Sequence, residues 1–336
     1  MPPRFLVAPD SFKGTFDAGA VAEAIAAGVE EGGGVADRCP VADGGEGTMP
    51  VLLGALGGEQ HAARVHDPLR RPIEAGFGML EDGETAVVEV AAASGLPLLE
   101  PEERDPEGAD SFGSGELIGA AVALGARRVL VAAGGSATTE GGRGAIAALR
   151  QHGLLGADGL RGPQGPVLVD VLCDVTARFE EAAPVFAPQK GADPAAVERL
   201  TRRLEAFATE LPRDPRGLPM SGCAGGLSGG LWAHGARLLP GAAFVLEAVG
   251  FDARLARADA VVSGEGRFDA QSLRGKVVGE VASRCAGARR PLHLVVGGDS
   301  PRELDGPAAI SSLTQARSLK EMRRAGQRLA RASRSS

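Results

Sequence analysis

The stretch RFLVAPDSFKG lies near the start of the sequence, at residues 4–14. Its first half is a short apolar run, typical of a buried strand, and its second half is a polar loop that ends in glycine. After this loop, apolar residues recur every four positions at Val21, Ile25 and Val29, which predicts a helix. A strand, a polar loop and a helix in this order indicate α/β construction, in which ligands bind at the carboxyl ends of the strands.

The same order of elements returns twice. A strand end at 39–42 is followed by DGGEGT at 43–48, where Thr48 is the expected N-cap of the next helix. A strand at 259–262 is followed by SGEGRFD at 263–269, and a helix at 277–285 comes next. The two ends of the chain are therefore expected to share one α/β domain.

The middle of the chain mixes a hairpin with helices. We predict paired strands at 72–80 and 85–91, helices at 113–124 and 145–150, strands at 128–132 and 167–173, and a long helix that begins near Asp193. A different pattern between two similar regions indicates an inserted domain, which proteins tolerate because domain termini often lie close together. We predict one domain at 1–68 plus 250–336 and a second, mixed α/β domain at 69–249.

Composition narrows the class of protein. The chain has 336 residues, which favours two domains, and a net charge of −7, which argues against a nucleic-acid partner. It has no apolar run as long as a membrane span, and its four scattered cysteines fit the cytoplasm. Of its four lysines, Lys13, Lys190 and Lys276 each adjoin a glycine. Lysine is a compact point charge that suits phosphate groups.

Five polar, glycine-rich loops contain most of the candidate chemistry, and they lie at 10–14, 43–48, 134–142, 188–191 and 263–276. Glycine lets backbone N–H groups face an anion, and a following helix N-terminus adds a favourable dipole. Together the loops supply the carboxylates, lysines and hydroxyls that phosphoryl transfer needs. Lys276 is followed by Val277, so the chain has no P-loop, and the motifs of protein kinases, dinucleotide-binding proteins and α/β-hydrolases are also absent.

These loops resemble those of the bacterial glycerate kinase family, the type without a P-loop. The matching motifs, in the order of the family, are APDSFKG at 8–14, VADGGEGT at 41–48, ASGL at 93–96, GSGELI at 113–118, GGSAT at 134–138, CDV at 173–175, PQKGA at 188–192 and GEGRFD at 264–269. One departure is Thr139-Glu140, where the family usually has Asn-Asp. If that pair touches metal or nucleotide, the change affects affinity.

The resemblance implies a flavodoxin-like, three-layer parallel-sheet domain with the mixed domain inserted. It also implies a cytoplasmic, ATP- and Mg²⁺-dependent kinase that phosphorylates D-glycerate in an interdomain cleft. The expected step is direct in-line transfer to the 2-hydroxyl, which gives 2-phosphoglycerate. The alternatives are a kinase that forms 3-phosphoglycerate, a kinase for another small hydroxy acid, and a non-catalytic sensor of organic acids.

The resemblance and the loops together assign candidate roles to individual residues. The candidate catalytic residues are Asp10, Lys13 and Asp43, with Asp10 or Asp43 orienting the acceptor hydroxyl. The candidate substrate-binding residues are Ser11, Glu46, Arg267, Asp269 and Lys276. The candidate nucleotide-binding residues are Gly134, Gly135, Ser136, Thr138 and Lys190, and the candidate metal ligands are Asp43 and Asp174.

Purely structural roles stay open for several of these residues. Asp10 can form an Asx-turn, and Glu46 can favour a helix N-terminus. Asp269 can pair with Arg267, and Asp174 can belong to a simple turn.

Overall fold

A computed structural model describes residues 1–156, 159–268, 272, 276–298 and 310–334. The chain forms two compact units. The first unit consists of Met1–Asp43 and Ala242–Ser336, and the second unit is Gly44–Gly241. The second unit is thus inserted, in chain order, between the two segments of the first. Each unit contains its own β-sheet and helices, which confirms the α/β class.

The helices and strands of the described residues are numbered in chain order. The strands are β1 (Arg4–Val7), β2 (Val35–Arg38), β3 (Gly58–His66), β4 (Pro72–Leu80), β5 (Thr85–Glu89), β6 (Arg128–Ala133), β7 (Leu155–Gly156), β8 (Gly159–Gly162), β9 (Gly165–Pro166), β10 (Leu168–Cys173), β11 (Arg237–Pro240), β12 (Ala260–Glu265), β13 (Leu292–Val296) and β14 (Ile310–Gln315). The α-helices are α1 (Ala18–Glu31), α2 (Thr48–Leu56), α3 (Val90–Ser94), α4 (Phe112–Leu124), α5 (Arg143–Gln151), α6 (Ala182–Phe186), α7 (Pro194–Glu210), α8 (Leu227–Ala233), α9 (Gly241–Ala248), α10 (Phe251–Leu255), α11 (Val277–Ala288) and α12 (Leu319–Ser333). None of these described helices is both long enough and apolar enough to cross a membrane.

The first unit is a parallel sheet with the strand order β14-β13-β12-β1-β2. Its strands are short and apolar because a parallel sheet is covered by helices and buried on both faces. On one face, Val7, Val262 and Val295 pack with Ile25 of α1 and Met322 of α12. This strand order is that of flavodoxin-like folds, so the predicted architecture of this unit is confirmed.

The second unit has a mixed sheet with the order β11-β10-β6-β5-β4-β3. The strands β5, β6, β10 and β11 are parallel, whereas β3, β4 and β5 form antiparallel pairs. Its core joins Val88, Val131 and Val171 of neighbouring strands to Leu117 of α4 and Leu149 of α5. A small three-stranded sheet, β7-β8-β9, lies between α5 and β10 in sequence.

Most of the predicted elements are present within a few residues of their expected bounds. The paired strands in the middle of the chain are β4 and β5, and the long helix is α7, whose N-cap Asp193 accepts a hydrogen bond from Ala196 N. The last helix of the chain is α12, with Ser318 as its N-cap. The strand expected to end at 39–42 is β2, which instead ends at Arg38.

The predicted N-cap Thr48 is wrong. The helix α2 begins at Thr48, and Gly47 is its N-cap with φ +93°, a value that favours glycine. A distant carboxylate replaces the expected hydroxyl, because Glu89 accepts hydrogen bonds from Gly47 N (3.0 Å) and Met49 N (2.7 Å). In the described part of the chain, the Thr48 hydroxyl oxygen is buried without a hydrogen-bond partner.

The unit bounds differ from the predicted domain bounds at 68–69 and 249–250. The strand β3 was not predicted, and it pairs along its whole length with β4 of the second unit. Its residues lie within 1–68, the range that the sequence assigns to the N-terminal α/β region. The strand β3 is an edge strand that is mostly exposed, and polar residues occupy many of its positions. Its sequence therefore lacks the apolar pattern from which a strand is predicted.

A buried charge cluster connects three strands of the second unit. Asp170 of β10 has no exposed side-chain surface, and it accepts hydrogen bonds from Arg128 Nε of β6 (2.8 Å) and from Arg237 Nε of β11 (2.6 Å). Burial raises the pKa of this carboxyl, but the hydrogen bonds from Arg237 and Arg128 outweigh that effect and leave the pKa below its ordinary value. The ionised carboxylate therefore stabilises the fold near neutral pH.

Replacing Asp170 by asparagine is expected to destabilise the second unit by about 1–3 kcal/mol at pH 7, because two arginines lose a charged acceptor. Trp232 is the only tryptophan and lies in this unit, so its fluorescence during urea unfolding reports the loss. Since the folded pKa of Asp170 is lowered, the difference should shrink as the pH falls through that value.

The matched control is Asp214→Asn. Asp214 pairs with Arg216 in the same unit, but both side chains are about half exposed, so the expected loss is about 0.5 kcal/mol. Equal losses in the two variants would show that the three-strand cluster has no special role in stability.

Candidate active site

The first unit contains a cavity of about 480 Å³ at the carboxyl ends of its strands, and several charged side chains line it. The loop after β1 and the loop after β12 line it, together with Gly297 and Gly298 after β13. Between β1 and β12 the strand order changes direction, and ligands of open α/β sheets bind at this switch point. Backbone pairing continues into the loops, because Asp10 N donates to Gly264 O (2.9 Å). We call this cavity the first pocket.

Two buried carboxyls and a lysine lie at the first pocket. Asp10 is 5% exposed and Asp43 is 1% exposed. Lys13 Nζ donates to Asp43 Oδ2 at 3.1 Å, while Asp10 Oδ1 accepts a hydrogen bond from Ser11 N at 2.6 Å. Burial and the nearby Asp43 carboxylate raise the pKa of Asp10 well above its ordinary value, although Lys13 opposes this shift. Asp10 therefore keeps its proton to a higher pH than an exposed aspartic acid does.

Cationic side chains from four segments line the first pocket. They are Lys13, Arg267, Lys276 and Arg317. Lys276 directly precedes α11, so the helix N-terminus adds backbone N–H groups and a favourable dipole. Arginine can bind a carboxylate or phosphate through two parallel hydrogen bonds. This part of the first pocket is suited to a small anionic ligand.

The second unit contains a separate cavity of about 300 Å³, which we call the second pocket. It also lies at the carboxyl ends of parallel strands, since Gly134–Ser136 follow β6 and Asp174 follows β10. The loop that contains Gly225 also lines the second pocket. Gly225 has φ +67°, and a Cβ there would lie 1.9 Å from Thr138 O, so no other residue fits without a shift of the backbone.

Lys190 is the basic side chain that lines the second pocket, and it is only 3% exposed. Its Nζ donates hydrogen bonds to Ser136 Oγ (3.1 Å) and to the backbone carbonyl of Thr138. Burial lowers the pKa of Lys190 to about 7, although the Glu140 carboxylate opposes the shift. An ammonium group, a serine hydroxyl and a glycine-rich backbone together form a receptor for anionic oxygens.

The Thr139-Glu140 pair has a structural role in the second unit. Glu140 Oε1 accepts a hydrogen bond from Ser111 Oγ (2.6 Å), and Glu140 Oε2 accepts one from Gly144 N (2.7 Å) in the first turn of α5. Burial raises the pKa of Glu140 despite these hydrogen bonds. Neither Thr139 nor Glu140 lines the second pocket. Glu140 therefore contributes to the packing around α5 rather than to the lining of the second pocket.

The predicted site residues fall into two groups. The first pocket brings together Asp10, Ser11, Lys13, Asp43, Arg267 and Lys276. The second pocket brings together Gly134, Gly135, Ser136, Asp174 and Lys190.

The remaining predicted residues lie elsewhere. Thr138 contributes its carbonyl to Lys190, while its hydroxyl is buried. Glu46 lies beside Gly135 of the second unit rather than with the substrate-binding candidates of the first. Asp269 is outside the described residues.

The two predicted metal ligands do not line the same pocket. Asp43 and Asp174 belong to different units and different pockets. Within the part of the chain that the structure describes, no group of three or more His, Cys, Asp or Glu side chains is placed to hold a metal ion. Arg317 is not among the predicted site residues, because it follows the edge strand β14 and has no glycine-rich motif beside it.

Two cation-bearing pockets at the carboxyl ends of parallel strands are typical of α/β proteins that bind small anionic ligands. Comparison with known proteins then gives the family. The sequence profile of the Glycerate kinase family matches residues 5–165 and 157–335, and the chain belongs to this family.

Individual relatives agree with this assignment. A glycerate kinase of Bacillus subtilis (strain 168) is 38% identical over 326 residues, which cover 88% of this chain and 85% of the relative. A glycerate 2-kinase of Escherichia coli (strain K12) is 35% identical over 323 residues, which cover 88% of this chain and 85% of the relative. A crystal structure from Salmonella typhimurium LT2, assigned as glycerate kinase 2, has a TM-score of 0.79 and 32% identity, and the match covers 100% of this chain and 98% of that one. The predicted family and enzyme class are confirmed.

Two buried hydroxyl groups near α5, those of Thr139 and Ser111, differ in whether they form hydrogen bonds. In the described residues, the Thr139 hydroxyl oxygen has no hydrogen-bond partner, whereas Ser111 Oγ donates to Glu140 and accepts from Ala145 N (3.0 Å). We expect Thr139→Val to change the free energy of unfolding by less than about 0.5 kcal/mol or to raise it, because no hydrogen bond is lost. Ser111→Ala should cost about 1–3 kcal/mol. Urea unfolding followed by Trp232 fluorescence measures both, and a larger loss for Thr139→Val would contradict this account.

Proposed function

We propose that this protein transfers the γ-phosphoryl group of ATP to the 2-hydroxyl of D-glycerate and forms 2-phosphoglycerate. The observation that carries the proposal is the first pocket, where the Lys13–Asp43 pair lies beside Asp10. The same cavity is lined by a cationic rim, which consists of Arg267, Lys276 and Arg317. Glycerate is a small carboxylate with hydroxyl groups, and this arrangement offers a partner for each part of it. The relative from Escherichia coli, named a glycerate 2-kinase, supports the choice of the 2-hydroxyl.

Asp43 is the better candidate to orient the acceptor hydroxyl. The raised pKa of Asp10 means that Asp10 holds its proton more readily, whereas Asp43 is paired with the Lys13 ammonium. In our proposal the 2-hydroxyl donates a hydrogen bond to Asp43, and the protonated Asp10 carboxyl donates one to a substrate oxygen. Arg267 and Lys276 bind the glycerate carboxylate, and Arg317 adds a third cation to that rim.

The second pocket is our candidate for the nucleotide phosphates. The backbone of Gly134 and Gly135, the Ser136 hydroxyl and the Lys190 ammonium offer donors to anionic oxygens. In the reaction, a bond forms between the glycerate O2 and the γ-phosphorus, and the bond from that phosphorus to the β,γ-bridging oxygen breaks. The proton of the hydroxyl passes to Asp43, and ADP leaves with the bridging oxygen. Lys13 offsets the negative charge that develops on the transferred group.

Mg²⁺ would instead require Asp10 to be ionised, in which case Asp10 and Asp43 would hold the ion and Asp10 would not donate a hydrogen bond to the substrate. Mg²⁺ is usually bound by one or two carboxylates together with substrate phosphates, and these two buried carboxyls lie close enough for Asp43 to raise the pKa of Asp10. A bound Mg²⁺ would neutralise charge on the phosphoryl oxygens. Asp174 in the second pocket offers a further carboxylate on the side proposed for the nucleotide.

A coupled assay of ADP release tests the function. We expect ADP release that depends on D-glycerate, with weaker or no release for L-glycerate and hydroxypyruvate. Asp43→Asn should lower kcat/KM by at least about 100-fold, because an amide cannot accept the hydroxyl proton. Lys13→Ala should lower kcat rather than raise KM alone, because Lys13 is assigned to the developing charge. The control is Lys320→Ala, an exposed lysine of α12 outside both pockets, which should retain full activity.

Product analysis by phosphorus NMR completes this test. Phosphate on O2 is the expected result, and phosphate on O3 would contradict the assigned hydroxyl. No acceptor-dependent ADP release with any of the three acids would refute the kinase proposal and favour a sensor of organic acids. Near-normal kcat/KM in a folded Asp43→Asn variant would refute the role of Asp43.

A further inference from the structure

Lys190 is a buried cation whose hydrogen-bond partners are neutral. Its side chain lies in the turn Pro188–Lys190 and lines the second pocket, and it is 3% exposed. The two acceptors of its Nζ are a hydroxyl oxygen of Ser136 and a backbone carbonyl oxygen of Thr138. An ammonium group has three donors, so one N–H is available to a ligand in the second pocket.

Within the described part of the chain, the charged groups around Lys190 form no ion pair with it. Glu140 is the carboxylate that acts on it electrostatically, but both oxygens of Glu140 are held by Ser111 and by the first turn of α5. Asp174 lines the same pocket, Glu46 lies beside Gly135, and Arg104 lies beside Gly191. Among the residues that the structure describes, Lys190 Nζ donates to Ser136 Oγ and Thr138 O, and none of these three carboxylates is its acceptor.

A buried lysine without an anion is costly in its charged form. Removal of an ammonium group from water is unfavourable unless an opposite charge compensates for it. The neutral amine of Lys190 is therefore favoured in the protein without a bound anion. Burial lowers the pKa of Lys190 to about 7, which agrees with its buried position and its neutral hydrogen-bond partners. At pH 8 most of the free protein then carries a neutral Lys190.

We propose that Lys190 receives an anionic phosphate oxygen of the nucleotide in the second pocket and takes up a proton when it does so. This inference rests on the proposed function, which assigns the nucleotide to that pocket. The proton comes from the solvent, and the bond that forms is N–H on the Lys190 amine. The phosphate supplies the missing negative charge, so the ammonium form becomes the stable one in the complex.

The affinity for the nucleotide should depend on pH, because binding is coupled to the protonation of Lys190. Nucleotide binding needs the protonated lysine, so affinity should be highest below the free pKa of about 7 and should fall as the pH rises above it. From pH 7.5 to 9.0 the protonated fraction of a group with this pKa falls about 20-fold, and the affinity should fall by a similar factor. The phosphates of ADP are already ionised in this range and contribute no slope.

Isothermal titration calorimetry of the full chain with ADP and excess Mg²⁺ tests the inference. Titrations at pH 8.0 in buffers of different ionisation enthalpy give the number of protons that are taken up. We expect about 0.9 proton for the wild-type protein, from the deprotonated fraction at this pH. In Lys190→Met the uptake should disappear and the affinity should no longer depend on pH. The matched control Lys320→Met should behave as the wild type, because Lys320 lies outside both pockets.

The outcomes separate this inference from the proposed function. ADP binding by the wild type without proton uptake would overturn the role of Lys190, even where the coupled assay shows glycerate kinase activity. Proton uptake with D-glycerate alone, and none with ADP, would overturn the choice of the nucleotide as the ligand. Proton uptake with ADP that is absent in Lys190→Met supports the inference, even where no acceptor gives ADP release. If Lys190→Met does not fold, Lys190→Gln and the wild-type titration still decide the question.

Discussion

Parallel strands place their carboxyl ends at one edge of a sheet, and both candidate pockets depend on this constraint. In the first unit, β1 and β12 are far apart in sequence, but their parallel pairing sets the Asp10 loop beside the Glu265–Arg267 loop. The Ser263 hydroxyl extends this contact by donating to Ala8 O at 2.7 Å. In the second unit, the pairing of β6 with β10 places Gly134 and Asp174 at the same edge in the same way. Each pocket is thus a product of strand register rather than of any one motif.

Each pocket also contains a buried ionisable group that a ligand of suitable charge can stabilise. In the first pocket burial and the Asp43 carboxylate raise the pKa of Asp10, which favours a neutral carboxyl or a bound cation. In the second pocket burial lowers the pKa of Lys190 to about 7, which favours a neutral amine or a bound anion. The two buried groups therefore differ in the ligand charge that stabilises them, although cationic side chains line both pockets.

Local sequence predicts the parts of the fold and site that depend on local chemistry. The loop after β1 could be located because an apolar strand, an aspartate and a glycine lie within a few residues of each other. The same holds for Gly134–Ser136, and the long helix α7 could be predicted from its apolar spacing and its N-cap Asp193.

Features that depend on distant partners could not be predicted in this way. Glu89 replaces the expected cap at α2 from a strand that lies about 40 residues away in sequence. Arg317 reaches the first pocket only because β14 is paired to β13. The hydrogen bonds that Glu140 accepts from Ser111 and Gly144 likewise become visible only in the folded chain. Sequence spacing carries no signal for such contacts.

The central claim is that the nucleotide phosphates occupy the second pocket and that the acceptor acid occupies the first. A crystal structure of this protein with ADP, Mg²⁺ and D-glycerate tests it most directly. The account predicts phosphate oxygens within hydrogen-bond distance of Lys190 Nζ and Ser136 Oγ, and a glycerate carboxylate on Arg267 and Lys276. Phosphates bound on Arg267, Lys276 and Arg317, with the second pocket lacking any part of the nucleotide, would contradict it.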